Sequence, residues 1–151
     1  MLRERLEDLS VNYYIKDLFS STPFVEIVDG FPTKDLTVPS ISVEAGDIDT
    51  EPFELGNKDR LSYRIWYIDV FATNKTQRDE FGYQILNALE NSIPVYNYND
   101  GFPPTVSPTQ LGCLEVEPHG LSMEIIRVFP QLTGKLYWRC TVVYKAHFNQ
   151  A

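Results

Sequence analysis

The first hydrophobic positions of the chain recur at helical spacing. Leu2, Leu6, Leu9 and Tyr13 are three or four residues apart, and the charged side chains among them fall mostly on the other side. Pro23 in "SSTP" disfavours helical geometry in the residue before it. The pattern therefore predicts an amphipathic helix over residues 2–19.

Alternation of apolar and polar residues replaces the helical pattern from residue 24 onward. "FVEIV" and "SISVEAG" predict two short strands with the turn "DGFPTKD" between them, and the polar "DIDTEPFELGNKDR" predicts a connector. Residues 62–72 carry apolar groups on both faces. Such a segment is typical of a central strand, covered by a helix on one side and by protein on the other.

The next segment, "TNKTQRDEF", marks the change from strand to helix. Asn74 or Thr76 can accept a hydrogen bond from the first turn, and Gln77 or Asp79 stands three residues further on. This is the spacing of a capping box. The pattern predicts a strand–helix–strand unit over residues 67–95.

The last third of the chain reads as a loop followed by strands. Pro94 is predicted to end the second helix, and the loop spans 96–112. Segments 113–118, 121–130 and 136–148 read as strands, with "PQLTGK" as the turn that joins the last two as a hairpin. The predicted fold is α+β, a mixed, mainly antiparallel sheet with two flanking helices in the order α-β-β-β-α-β-β-β. We expect one domain over residues 1–151.

Charge and cysteine content exclude some functional classes. The net charge of −8 comes from 21 acidic and 13 basic residues, which disfavours tight binding of nucleic-acid phosphates but suits the wall of a conduit for DNA. Cys113 and Cys140 are too few for a disulfide framework, so we expect reduced, buried thiols in a cytoplasmic fold. The charged N-terminus does not resemble a signal peptide, and no membrane span is predicted.

The motifs of phosphate, metal and thiol chemistry are not present. A phosphate-binding turn requires glycines, and "ATNKTQRD" has none. The candidate zinc ligands do not have the spacing of a zinc site; they are Cys113, His119, Cys140 and His147. We therefore expect no metal and no cofactor, with two small core thiols and two histidines at the rim.

The carboxylates also lack a catalytic setting. Asp47 and Asp49 could share one strand face, as two metal-binding carboxylates of a divalent-metal nuclease would. Such a nuclease also needs a nearby lysine, usually in a Glu-x-Lys motif, and the chain contains no such motif. Asp69 lies in mid-strand among apolar neighbours. A buried carboxylate must be paired or protonated, so we predict an ion pair with Arg64, with Arg139 or with a neighbouring subunit.

The order of elements resembles that of a known group of proteins. An N-terminal amphipathic helix precedes strands and "ELGNKDR", an aromatic strand runs into "FATNKTQRDEFGYQIL", and paired strands close the chain. The turn is followed by Gln77-Arg78-Asp79. In these features the chain resembles the neck and tail-completion proteins of tailed bacteriophages, in particular the tail-terminator group.

The resemblance implies a structural role without catalysis. Members of this group form rings, typically of six subunits, that cap the tail tube and face the head connector. The implied partners are further copies of the chain, the tail tube protein, the connector or stopper protein, and a sheath protein where the tail has one. Genomic DNA would pass through the ring without specific binding. The implied location is the virion neck, after assembly in the host cytoplasm.

A ring subunit needs two different surfaces for its neighbours, and exposed aromatics suit such contacts. The predicted interface residues lie in the turns, the long loop and the acidic connector; they are Phe31, Asp47, Asp49, Phe53, Tyr96, Tyr98 and Phe102. Some of these aromatics could instead cover the local core. The alternative functions are another neck ring such as a head–tail adaptor or stopper, a domain that binds a small hydrophobic ligand, and a metal-dependent nuclease.

Overall fold

A computed structural model describes residues 2–30, 37–52, 60–126 and 138–150. For residues 51–52 and 60–62 only the course of the backbone is described. The predicted order of elements is confirmed. The elements are α1 (Arg3–Leu18), β1 (Glu26–Asp29), β2 (Ser40–Pro52), β3 (Arg60–Ala72), α2 (Lys75–Ala88), β4 (Ile93–Tyr96), β5 (Gln110–Ile126) and β6 (Trp138–Gln150).

The strands form one six-stranded sheet in the order β1-β2-β3-β6-β5-β4. β1 and β2 are parallel, and every other neighbouring pair is antiparallel. The sheet is therefore mixed and mainly antiparallel, as predicted. β5 and β6 are the paired strands of the predicted hairpin, and the turn expected at 130–135 lies outside the described residues.

Both helices pack on the same face of the sheet. Alternate residues of the four long strands supply this face, and those that are essentially inaccessible to solvent include Ile41, Val43, Trp66, Ile68, Val70, Ala72, Leu114, Cys140, Val142, Tyr144 and Ala146. On the opposite face, no helix of the described residues covers the sheet. Cover on both sides was expected for residues 62–72. On the second side it is partial, since Phe71 and Asp69 are buried whereas Tyr67 is 37% exposed.

A buried arginine on β3 fixes α1 to the sheet. Arg64 is 4% exposed, and its guanidinium donates to the Glu4 carbonyl at 2.7 Å and to the Glu7 carboxylate at 3.1 Å. A second nitrogen lies 2.8 Å from an Asp8 oxygen, which also accepts from the Trp66 indole at 3.0 Å. Three polar groups in the first two turns of α1 thus bind the same strand residue.

Burial gives the Glu7 carboxylate an unusual titration. Desolvation raises its pKa, and the hydrogen bond and charge of Arg64 oppose that rise. The folded chain therefore holds this proton more tightly than the unfolded chain. The stability that results is fully present below pH 4.5 and is lost as pH rises through the folded pKa.

α2 begins at the predicted cap. The Asn74 side chain accepts from the Gln77 amide at 2.8 Å, and the Gln77 side chain accepts from the Thr73 amide at 2.9 Å. This reciprocal pair satisfies two amides at the start of the helix. The helix ends at Ala88, and Pro94 lies within β4. The predicted end at Pro94 was therefore too late.

Two strands are longer than the sequence pattern predicted, because each continues through a bulge. β2 continues through Asp47 and Asp49, where a connector was predicted, with an irregularity between Ala45 and Ile48. β5 joins segments predicted as separate strands, with four residues between Val116 and Leu121 opposite a single residue of β6. A bulge interrupts alternation without ending the pairing.

Replacing Arg64 with Met should destabilise the fold by about 3–5 kcal/mol, because Glu7 and Asp8 would stay near the sheet without a cation. Arg3→Ala is the matched control, since Arg3 is half exposed and lies 3.9 Å from the same carboxylate; its cost should be below about 1 kcal/mol. Urea unfolding measures both. Equal losses would contradict the role given to Arg64.

Candidate functional site

The sheet face opposite the helices is covered by no helix of the described residues. Its centre, here called the open face, consists of Tyr63, Ile65 and Tyr67 of β3 and Val143 and Lys145 of β6, which lie side by side. The ring of Tyr67 lies over Gly46, where a Cβ would come within 2.5 Å of a ring carbon. Lys145 lies 5.4 Å from the ring centre of Tyr63. The open face is therefore rich in aromatics and partly exposed, and it is bordered on β2 by Glu44, opposite Tyr67, and by Asp49, opposite Tyr63.

One end of this face contains a buried ion pair. Asp69 is 4% exposed and lies 2.8 Å from the Arg139 guanidinium, and it also accepts from the Thr141 hydroxyl. The prediction that Asp69 is paired is confirmed, with Arg139 as its partner. Arg64 cannot serve because it points to the helix-covered face. One carboxylate oxygen, Oδ1, thus accepts from both neighbouring strand residues.

The other end of the face carries a histidine between two carboxylates. His147 contacts Glu117 through Nδ1 and lies 3.6 Å from Glu115 through Nε2. The Cys113 thiol lies 4.0 Å from Glu115. His119 is separate and exposed in the β5 bulge, with a φ of 60°. Within the described ranges, no group of three or more histidines, cysteines, aspartates and glutamates has the geometry of a metal site.

A second surface is the free edge of β2. β1 pairs with β2 only over Ser40–Val43, so no described strand covers the outer side of β2 beyond Val43. Glu44, Asp47 and Asp49 are exposed on this stretch, and Ile48 is 48% exposed. We call these four residues the acidic edge. Charged side chains and a bulge are common means of preventing unwanted pairing at such an edge.

The aromatics of the long loop form a third feature, which is mostly internal. Tyr98 is 2% exposed, and its ring centre lies 5.1 Å from that of Phe102 and 6.1 Å from that of Tyr96. Tyr13 of α1 lies 6.3 Å from Tyr98 and 6.1 Å from Phe102. The cluster holds the loop on α1, and Tyr96 and Phe102 are half-buried within it.

The predicted interface residues thus belong to separate regions. β2 and β4 are four strand spacings apart in the sheet, which is roughly 19 Å. Asp47 and Asp49 therefore lie far from the aromatic loop. Phe31 and Phe53 lie outside the described residues. The residue that the sequence reasoning missed is Tyr67, which alternation had assigned to a covered face.

The strand–helix junction serves to attach α2 to β6. The Arg78 guanidinium lies 3.0 Å from the neighbouring Asp79 carboxylate and 5.7 Å from the ring centre of Trp138. The Arg78 carbonyl faces the Cys140 thiol at 3.8 Å. Burial raises the pKa of Cys140 to about 12, which leaves the thiol protonated and unreactive at neutral pH. Cys140 is buried as predicted, whereas Cys113 is only half-buried.

Two further features bear on small-molecule and membrane binding. A cavity of about 80 Å³ lies within the loop, lined by residues 97, 100–101 and 104–109. The space between sheet and helices is filled by large side chains such as Trp66, Tyr144 and Leu89. None of the described helices combines the length and hydrophobicity that crossing a membrane requires.

No family model matches the chain, and no curated protein matches it. Among solved structures, it is similar to a chain from the "Virion of native gene transfer agent (GTA) particle", with a TM-score of 0.43 and 12% sequence identity over 94% of this chain and 89% of that chain. A likeness at this level assigns neither a family nor a role.

Tyr98→Phe should raise the pH of alkaline unfolding. Burial raises the pKa of Tyr98 to about 12, against a smaller opposing effect of the Ser10 hydroxyl. The stability linked to this proton is present below pH 10.0 and is lost as pH rises towards 12. Unfolding followed by circular dichroism between neutral and high pH measures the shift. Tyr83→Phe, at a residue 55% exposed, is the control and should leave the midpoint unchanged.

Tyr98→Ala should destabilise the isolated chain by about 3–5 kcal/mol, because it empties a buried aromatic site. Asp47→Asn combined with Asp49→Asn should change stability by less than about 1 kcal/mol, since both side chains are exposed. Thermal unfolding of both variants provides the comparison. A Tyr98→Ala chain as stable as the parent would show that the loop aromatics are not needed by the monomer.

Proposed function

We propose that this chain is a structural subunit of the neck of a tailed, phage-like virion. Copies would form a ring, with six as the expected number, that caps the tail tube and joins it to the head connector around the DNA channel. Its partners would be neighbouring copies, the tube protein and the connector or stopper protein, with a sheath protein in a contractile tail. The role is structural and requires no catalytic residue or cofactor.

The observation that carries the proposal is the open face. No described helix covers this face of the sheet, and its centre presents Ile65, Tyr67 and Val143 to solvent or to another protein. Partly exposed aromatics and aliphatics on a rigid sheet suit the centre of a protein interface. The acidic edge adjoins the open face, because Glu44 lies opposite Tyr67 and Asp49 lies opposite Tyr63 across the β2–β3 pair.

The charge distribution fits the same role. The net charge is −8. Among the described residues, no lysine or arginine forms an ion pair with Glu44, Asp47 or Asp49 of the acidic edge. An acidic rim lets DNA pass without holding it, because affinity for DNA comes from neutralising its phosphates. The resemblance carried by Gln77-Arg78-Asp79 points to the tail-terminator ring, and another neck ring such as an adaptor or stopper would use the same surfaces.

The geometry supports the two alternative functions, ligand binding and nuclease activity, less well than the structural role. A hydrophobic ligand would need an apolar cavity between sheet and helices, but that space is filled in the described part of the fold. A metal-dependent nuclease would need Asp47 and Asp49 beside a third ligand and a lysine. The described neighbours of Asp49 on β3 include Tyr63, which does not supply that chemistry.

Tyr67→Glu should abolish particle assembly while leaving the monomer folded. The change puts a charge in the centre of the open face, where it would be desolvated by a neighbouring subunit. Tyr83→Glu is the matched control, because Tyr83 is a more exposed tyrosine on α2. The assay is complementation of a particle whose own copy of the gene is deleted, with circular dichroism of both purified variants.

The expected deletion phenotype is filled heads and separate tails, with joined particles restored by the parent chain and by Tyr83→Glu but not by Tyr67→Glu. Normal joined particles from the deletion strain would refute the neck role. Restoration by Tyr67→Glu would refute the open face as the contact. Cryo-electron microscopy of the restored particles locates the subunit.

A further inference from the structure

The last stretch of β5 is a strand edge without a partner among the described strands. β4 pairs with β5 only up to Leu114, and β6 occupies the other side. We call Leu121–Ile126 the β5 edge. α2 packs mainly on β3 and β6 and also touches this edge, where the Met123 side chain lies against Gly82. No described strand pairs with the outer backbone of Leu121–Ile126. The backbone N–H and C=O groups on the outer side of such a strand can pair with another chain.

The β5 edge differs from the acidic edge in the features that prevent pairing. The acidic edge has three carboxylates and a bulge, whereas the β5 edge is regular and carries one charge, Glu124. Ile125 is 43% exposed, and Met123 is half-buried. An exposed, regular and largely apolar edge is a site for pairing. The fold thus blocks pairing at one side of the sheet and permits it at the other.

The sequence of the β5 edge is complementary to itself in the antiparallel sense. With a two-fold axis at Met123, this residue lies opposite its own copy, and Leu121 lies opposite Ile125. Ser122 then lies opposite Glu124. Side chains of a strand alternate between faces, so both apolar pairs fall on the helix-covered face and the Ser122–Glu124 pairs fall on the other. Each residue meets one of compatible polarity.

We propose that the β5 edge pairs antiparallel with the β5 edge of a second copy, about a two-fold axis at Met123. The two six-stranded sheets become one continuous sheet. The alternative partner within a second copy, the acidic edge, would place Asp47 or Asp49 near Glu124. Like charges on paired strands are destabilising. The β5 edge itself avoids that repulsion because Glu124 meets a serine.

This pairing goes beyond the proposed neck role and does not depend on it. A two-fold contact uses the same patch on both copies, whereas the contacts of a closed ring are head-to-tail. The pair is a state of the free chain, formed through β5, and the ring contact was placed on the open face. Tyr67→Glu should therefore leave the pair intact, which keeps the two proposals separable.

The first test changes the residue opposite Glu124. Ser122 is exposed, so its replacement should not disturb the monomer. Ser122→Glu creates two symmetry-related repulsive pairs and should raise the dissociation constant of the dimer at least about fivefold. Ser122→Lys creates two attractive pairs and should lower it. Sedimentation equilibrium of the full chain, at low and high salt, measures both changes.

Thr50 provides the control for total charge. It is exposed on the free part of β2, at the opposite side of the sheet from the β5 edge. Thr50→Glu and Thr50→Lys alter the net charge by the same amounts as the Ser122 changes and should leave the dissociation constant unchanged. The Ser122 effects should also shrink at high salt, since ionic strength screens exposed charges.

The second test fixes the register by cross-linking. In a Cys113→Ser background, Met123→Cys places two cysteines directly opposite each other, with Cα atoms about 5 Å apart, which suits a disulfide. Leu121→Cys is the control, because its two copies would be separated by about 13 Å along the strands. Mild oxidation should give a covalent dimer with Met123→Cys and a monomer with Leu121→Cys.

Three results would overturn the proposal. The first is a parent chain that stays monomeric at every concentration reached. The second is a pair of Ser122 variants whose dissociation constants match those of the Thr50 controls. The third is a covalent dimer that forms with Leu121→Cys rather than with Met123→Cys, which would show pairing in another register.

Discussion

The position of α1 depends on one buried cation. Arg64 lies on the helix-covered face of β3 and binds the Glu4 carbonyl and the Glu7 and Asp8 carboxylates from beneath the helix. A charge this deep is stable only with its partners, and the partners are stable only with the charge. Because Asp8 also accepts from the Trp66 indole, helix, ion pairs and core share one network. This network places α1 on one defined face of the sheet.

The placement of both helices on that face decides which surfaces remain for other molecules. It leaves the open face with Tyr67 at its centre, and it leaves two stretches of strand edge at opposite sides of the sheet. The acidic edge combines charge with a bulge, and the β5 edge has neither of these over most of its length. A fold of two layers therefore offers contact surfaces that an enclosed sheet would not have. The functional proposals rest on these surfaces.

The residues on which the resemblance to tail-terminator proteins rests make stabilising contacts within this fold. Gln77 completes the cap of α2, and Arg78 packs on Trp138 while its carbonyl faces the Cys140 thiol. The strand–helix junction thus attaches α2 to β6 and contains no reactive group in the described region. Asp69, the one carboxylate whose position suggested chemistry, is held by Arg139 and Thr141. In the described region, these polar groups are therefore occupied by contacts within the fold.

Local patterns in the sequence determined the class and order of the elements, because helix and strand periodicity and the Asn74–Gln77 cap are properties of neighbouring residues. They also showed that Asp69 needs a cation. They did not determine the length of β2 or β5, since a bulge breaks alternation while the backbone pairing continues. They assigned Tyr67 to a covered face because apolar residues occupy both faces of β3, and periodicity does not show what lies above a strand. Only the tertiary structure decided that both helices lie on one face, that Trp66 and Phe71 are buried on opposite faces of β3, and that Tyr67 is exposed between them, because these outcomes depend on contacts between distant segments.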